Sequence, residues 1–486
     1  MKMHNSGSHL ISDNCNLSCD VLVIGSGAGG SLVASELAKN NIDVILAEEG
    51  NYAKQPNAKE YKNFTEKWRN GGITACFGKP PISYAEGRCV GGGTEINSGL
   101  VQKCPDNLLD TWQKKYDIKD FSAKSLKPYY DEIFTLLNAT KKTKLAKEEE
   151  ILKQAGKENN WRITQIERAE KNNQKQSMSK TLIPEFIRMG GRLIAKCKIT
   201  NLTIKDGSVT KASGTAINYD GKKCNISIKT KYIFICCGAI QTPFLLKTNG
   251  LDHNIGNSLK IHPTIKAIAQ FNDAVTSMPF NPVPQTAITE FMPDIRIGGS
   301  VMKPGFVAMN IAEDFERRQN LIPNIDKLGI YYAMIRPESS GKIIALPNIN
   351  NPIVKYDLSK NDWGKIKLGL DYLMQAMFAS DAKKVFPSIY GSTAYSTYKK
   401  YQCDIPHYAL KHYNLMTIHL FSSCPMGENK ALTAVDSYGK LHNIKNLFIA
   451  DGSIIPEAPG TNPQATIMAI TLRNIKHFLY NYKTSI

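Results

Sequence analysis

Residues 20–50 read DVLVIGSGAGGSLVASELAKNNIDVILAEEG, and their order of apolar run, glycine cluster, helical stretch and second apolar run decides the fold. Val21–Ile24 is short enough for a buried parallel strand, and Gly25, Gly27 and Gly30 follow it at G-x-G-x-x-G spacing. Ala28 and Gly29 lead into Ser31–Lys39, which has helical periodicity, and Asp43–Ala47 reads as a second strand. Together they predict one nucleotide-binding βαβ unit. The three glycines serve a tight turn, an open approach of backbone N–H groups to a diphosphate, and close packing of helix on sheet. The diphosphate is expected at the positive end of the helix. Glu48 closes the second strand, where a carboxylate accepts hydrogen bonds from an unphosphorylated ribose. That position favours FAD or NAD over NADP. The unit alone does not separate a flavin from a nicotinamide.

A chain of 486 residues holds two or three domain-sized cores, or one nucleotide domain with a second inserted into it. Hydrophobic residues at 42% and charged residues at 21% are ordinary globular values, with no apolar run of the ~18 residues a membrane helix needs. The formal charge of +18 comes from lysines scattered along the whole length. Without a dense basic tract and interleaved aromatics it argues against nucleic-acid binding, and leaves open a basic face toward an anionic membrane or acidic partner. The polar N-terminal stretch lacks an apolar signal core. The 11 cysteines, including adjacent Cys236 and Cys237, form no paired C-x-x-C set for zinc or an iron–sulfur cluster. They are expected to be reduced, mostly buried thiols of a cytoplasmic protein, with no metal site.

Along the chain, Asn51–Pro81 is polar and reads as a loop-rich excursion. Gly87–Leu100, GRCVGGGTEINSGL, removes three successive side chains, so that backbone can approach a flat ligand. Asp106–Asn138 has helical spacing, and Lys141–Asn160 reads as a solvated helix. Arg192–Ile204 suggests a strand, Asn218–Lys222 a turn between strands, and Tyr232–Gly238 a buried strand. Ala239–Lys247 begins a helix with Pro243 in its opening turn. Phe271–Ile353, rich in β-branched residues and prolines, predicts an antiparallel sheet. Asp362–Met377 predicts a helix whose Trp363, Ile366, Leu370, Leu373 and Met377 share one packed face.

Two C-terminal stretches remain: Met416–Gly427, MTIHLFSSCPMG, and Asn446–Ile470, NLFIADGSIIPEAPGTNPQATIMAI. With the nucleotide unit, the GRCVGGGTEIN segment, KQSMSKT at Lys175–Thr181, GAIQTP at Gly238–Pro243 and the His262-Pro263 pair, the chain resembles the glucose-methanol-choline (GMC) flavoprotein oxidoreductases over most of its length. Its C-terminus is most similar to the cholesterol oxidases and long-chain fatty alcohol oxidases. The resemblance implies an α/β fold, an FAD-binding Rossmann-like domain with an inserted, mostly antiparallel β-sheet substrate domain. Residues 1–108, 190–265 and 414–486 are expected to build the FAD domain, 109–189 a linker and cap, and 266–413 the substrate domain.

The same resemblance implies FAD bound in extended form. Gly25, Gly27 and Gly30 would belong to the cofactor-binding set, with Glu48 holding the adenosine ribose and the backbone near Ile199 the adenine. Gly93, Asn97 and Ser98 would lie on the flavin side, Asp451 by the diphosphate and ribityl chain, and Asn462, Pro463 and Gln464 by the pyrimidine end of the ring. His419 is the implied base, for which an imidazole with a pKa near working pH is suited, and Asn462 the group that orients the substrate oxygen. Relatives that tether the flavin through a histidine carry it where Ile96 stands here, so the FAD is expected to be non-covalent.

Ser422 and Ser423 replace a Gly-Thr pair of relatives, and Glu290 is the nearest candidate for the base carboxylate some of them carry in the inserted domain. His262 reads as structural, and His407, His412 and His442 as exposed. The expected activity is oxidation of an alcohol CH–OH, with an apolar, long-chain or sterol-like substrate favoured. Dioxygen, a quinone or a redox protein would take the electrons. A structural, non-catalytic flavin and an NAD-linked dehydrogenase are the alternatives; the retained His419 and Asn462 argue against the first, and the GGGT and GTNP segments against the second.

Overall fold

A computed structural model describes residues 15–52, 60–275 and 283–484. The opening unit forms as its pattern predicts: β1 spans Cys15–Ile24, α1 Ala28–Lys39 and β2 Val44–Ala47. β1 and β2 run parallel, and Val21–Ile24, Val44–Ala47 and most of α1 are buried. Burial on both faces is why these strands are continuous apolar runs with no alternation.

One sheet is built around this unit, in the order Arg192–Ile194, β2, β1, Lys223–Ile235, Ser208–Ile217 and Cys197–Lys205. The long Lys223–Ile235 strand changes partner along one edge. Its first half forms an antiparallel hairpin with Ser208–Ile217, and Ile233–Ile235 pairs in parallel with Leu447–Ile449. The C-terminal chain thus returns to the nucleotide domain beside its second glycine-bearing turn. The Gln464–Thr484 helix then packs on α1, where Gly29 leaves no room for a side chain: an added Cβ would lie 1.8 Å from the Ala450 carbonyl oxygen.

A second, nine-stranded sheet is almost entirely antiparallel. Its central strands are Thr264–Gln270, Leu328–Ile335 and Ile295–Gly299, and the Lys360–Ala379 helix covers one face with Trp363, Ile366, Leu370, Leu373 and Met377 buried. The sheet also draws in Ala75–Cys76, Ile82–Tyr84, Ile163–Gln165 and Leu415–Thr417, from outside residues 266–413. Short strands of the nucleotide segments bridge the two layers.

Three local expectations change. Asn51–Pro81 contains a helix at Glu60–Lys67. The Lys147–Glu158 helix is half core, because Ile151, Leu152 and Ala155 are buried and the Glu149 carboxylate accepts from the Gln285 N–H at 2.6 Å and the Ala146 N–H at 3.0 Å. Pro243 lies in the second turn of the Gly238–Thr248 helix. The carbonyl it leaves without an intrahelical donor, that of Ala239, accepts from the Ser423 hydroxyl at 2.6 Å. One of the two serines that depart from the family pattern therefore satisfies a backbone group the proline exposes.

Candidate active site

A continuous cleft of about 690 Å³ runs through the C-terminal ends of the parallel strands. Crevices at such strand ends are where open α/β sheets bind ligands. Gly25, Gly27, Glu48, Gly93, Asn97, Ser98, Ile199, His419, Asp451, Asn462, Pro463 and Gln464 all line it. Gly30 does not: a Cβ there would sit 1.9 Å from the Gly25 carbonyl oxygen and 3.0 Å from Cys236 Cβ, so its role is helix-to-strand packing. At Gly27 nothing lies within 4 Å of an added Cβ. The space before it belongs to the cleft.

The second glycine cluster is pressed against the first. Gly91 and Gly92 have φ of 97° and 53°, and a Cβ on Gly92 would lie 2.8 Å from Gly27 Cα. Only glycine allows both the backbone conformation and this approach. The Glu48 carboxylate is buried and accepts from the Ser26 N–H (2.9 Å), the Ser26 hydroxyl (2.7 Å) and the Gly50 N–H (2.8 Å). Burial pushes its carboxyl up, and these three bonds oppose that. Asp451 is held likewise by the Gly238 N–H (2.9 Å), the Thr242 hydroxyl (2.5 Å) and the Ser453 N–H (2.8 Å). Asn97 Nδ2 donates to Gln464 Oε1 at 2.8 Å, tying the glycine loop to the start of the long C-terminal helix.

These features fit FAD. A side-chain-free cradle beside a helix start suits a diphosphate, and each buried carboxylate keeps acceptor capacity beyond its present bonds.

His419 and Asn462, 43 positions apart, meet with His419 Nε2 3.4 Å from Asn462 Nδ2, both largely buried. Behind them stand two residues that the sequence did not single out as functional. His262 is fully buried, with its Nδ1 3.0 Å from His419 Nδ1 and its Nε2 accepting from the Gly460 N–H at 3.0 Å. The antiparallel pairing of Lys260–Ile261 with Leu420–Phe421 brings the two histidines side by side. His262, expected to be structural, thus lies directly against His419. Arg296, only 1% exposed, donates to Asn462 Oδ1 at 2.8 Å, to Tyr332 Oη at 2.9 Å and to Gln102 Oε1. Among the described residues its side-chain partners are all neutral, and its Nε lacks one. Gly298, which shares a strand face with Arg296, makes room for Tyr332: a Cβ there would lie 2.6 Å from the phenol oxygen.

Burial, and then the Arg296 charge, pulls His419 down to about 3. Burial also holds His262 well below the ordinary histidine value, aided by His419, Arg296 and Arg336. His419 is thus a neutral imidazole far from its midpoint, where a pKa near working pH had been expected. Glu290 is not in the cleft. It accepts from the Arg162 N–H at 3.1 Å and sits 3.8 Å from the Arg162 guanidinium, and so is removed as a base candidate. His407 is exposed, whereas His412 and His442 are half-buried, the latter with its Nε2 3.0 Å from the Thr433 hydroxyl.

Fold and cleft together define a flavoprotein of the Rossmann type, with His419 and Asn462 side by side in the cleft wall. Models of the GMC oxidoreductase family match residues 64–264 and 337–471, and the chain belongs to that family. An uncharacterized GMC-type oxidoreductase of Sinorhizobium fredii is 41% identical over 487 residues, covering 96% of each chain. A long-chain-alcohol oxidase of Arabidopsis thaliana is 24% identical, over 94% of this chain and 66% of that one. Among solved structures, pyridoxine 4-oxidase of Mesorbium loti superposes with a TM-score of 0.72 at 15% identity, covering 95% of this chain and 99% of that one. A formate oxidase of Aspergillus oryzae gives 0.73 at 15% identity, over 98% and 100%. The protein is an FAD-containing oxidoreductase with a small-molecule substrate and an electron acceptor. No helix among the described residues is long and apolar enough to cross a membrane.

Proposed function

We propose that this chain oxidises the CH–OH group of an alcohol. The observation that carries the reading is the buried His419–Asn462 pair, 3.4 Å apart in the wall of the same cleft that Gly27 and Glu48 line. FAD, when bound, supplies the acceptor for the hydride. The chain's residues hold the alcohol oxygen and manage its proton. Asn462 is oriented by Arg296, a residue that can only donate, so its Oδ1 faces Arg296 and its Nδ2 is offered to the substrate oxygen. His419 Nε2 is the group within reach of the hydroxyl proton, and losing that proton frees the carbon to surrender hydride.

An apolar alcohol is the favoured substrate. The similarity to a long-chain-alcohol oxidase supports it, as does Ile418, which is exposed on the cleft lining next to His419 in the chain. A panel of fatty alcohols, sterols, hexoses and choline, assayed with an artificial acceptor and for peroxide, tests the reading. Turnover of long-chain alcohols is expected, and preference for a hexose or choline would overturn the substrate assignment. The ratio of peroxide to dye reduction identifies the acceptor class.

A further inference from the structure

Four groups form one hydrogen-bonded line: the Gly460 N–H, His262, His419 and the Asn462 amide. Both ends are donors. Gly460 offers its backbone N–H at 3.0 Å, from a residue with φ 71° where an added Cβ would lie 2.6 Å from the Pro293 carbonyl oxygen. Asn462 offers Nδ2, because Arg296 has claimed its Oδ1 at 2.8 Å. Two neutral imidazoles carry one proton each, while the three contacts between these ends have room for only one imidazole proton in total. One contact must therefore fail. The contacts at 3.0 Å are normal hydrogen bonds, and the one between His419 Nε2 and Asn462 Nδ2, at 3.4 Å, is the long one. The Gly460 bond then leaves His262 with its proton on Nδ1, and that proton occupies His419 Nδ1.

We infer that His262 is a positioning residue that keeps the proton of His419 on Nε2, so that His419 and Asn462 present two N–H donors to one anionic oxygen, such as that of a small carboxylate. The Arg296 guanidinium behind Asn462, without a carboxylate partner among the described residues, adds positive potential to the same point. No acidic side chain bonds to either histidine among the described residues. Arg336, the other cation acting on His262, is paired to Glu457 at 3.2 Å.

Serving as a base requires the opposite arrangement. His419 would then donate from Nδ1 to His262, and the proton of His262 would face the Gly460 N–H. The two forms hold the same number of protons, so His262 withholds the base form until an alcohol hydroxyl, itself a donor, competes for Nε2. The inference rests on the assignment of His419 and Asn462 to the substrate oxygen, which alcohol-driven flavin reduction tests separately.

The test is calorimetric titration of acetate into the FAD-loaded protein from about pH 7.5 to 9.5, with flavin absorbance as a second signal. Lys175 lies behind the glycine loop, donating to the Glu95 and Asn97 carbonyls, and burial pulls its ammonium down to about 7, below this window. If the donors are preformed, acetate binds without proton uptake and its Kd stays constant within about twofold across the window. A bare Nε2 that cannot gain a proton by exchange along the His262–His419 line would take up one proton on binding, and Kd would rise about tenfold per pH unit. That slope in the parent protein, or no acetate binding at all, would overturn the inference. His262→Asp places an acceptor-only group against His419 Nδ1, so this variant is expected to acquire the tenfold slope. If it fails to fold, the imidazole ¹⁵N shifts of the parent protein decide: a protonated Nε2 on His419 supports the inference and a bare Nε2 overturns it.

Discussion

Arg296→Met removes the one group that fixes the Asn462 amide. The arginine makes three side-chain bonds, to Asn462 Oδ1, Tyr332 Oη and Gln102 Oε1, and methionine retains the volume without a donor. A hydrogen bond from a charged donor contributes about 1.5–3 kcal/mol net. At about 1.4 kcal/mol per tenfold, losing the bond that orients Asn462 slows flavin reduction by about 10- to 150-fold. The charge also acts on His419, whose pKa is held down first by burial and second by Arg296, so the substitution lets the imidazole rise. Arg296→Lys keeps the charge and loses the fork, and is expected to rescue little of the rate. Anaerobic stopped-flow reduction, with flavin content and thermal melting measured in parallel, reads the outcome. If Arg296→Met binds FAD normally and is reduced as fast as the parent, the role given to this residue is wrong.

Two glycines of the same motif should separate binding from stability. Gly27→Ala places its Cβ in open cleft and should leave the apoprotein melting temperature unchanged while weakening FAD binding; Gly30→Ala drives a Cβ to 1.9 Å from a carbonyl and should also lower stability, by about 1–3 kcal/mol. Equal melting temperatures for the two apoprotein variants would contradict this. Because Ile96 stands where relatives carry a tethering histidine, acid precipitation should release all yellow colour to the supernatant, and colour kept in the pellet would defeat the non-covalent assignment. The depressed His419 midpoint places its acid limb near about 3, so flavin reduction driven by the neutral imidazole is lost only as pH falls toward that value. The rate profile should be flat from about pH 5 to 8, and a limb centred near the ordinary histidine value would refute the buried environment.

The nucleotide unit was legible because everything that makes it is local. Strand, turn glycines, helix and terminal acid lie within about one βαβ length, and each residue type has one physical reason to be there. His419 and Asn462 were legible only through resemblance, since no spacing joins two residues brought together by separate returns to the sheet. Arg296 was not singled out, yet it carried a signal: a lone charge between Ile295 and Ile297 in a strand is either exposed or spent on something. His262 was set aside because a histidine before proline has many uses, and only the pairing of Lys260–Ile261 with Leu420–Phe421 shows which one applies. The Lys147–Glu158 helix was misjudged for a related reason, because a run of glutamates looks solvated until the backbone donors that Glu149 satisfies are seen.

The central claim is that His419 and Asn462 act on the substrate oxygen in front of a flavin, and its most direct measurement is anaerobic flavin reduction in His419→Ala with the best alcohol of the panel. Removing a positioned proton-transfer group costs about 100- to 10,000-fold in rate. The account predicts a loss in that range with FAD still bound at parental stoichiometry. Reduction at the parent rate would contradict it.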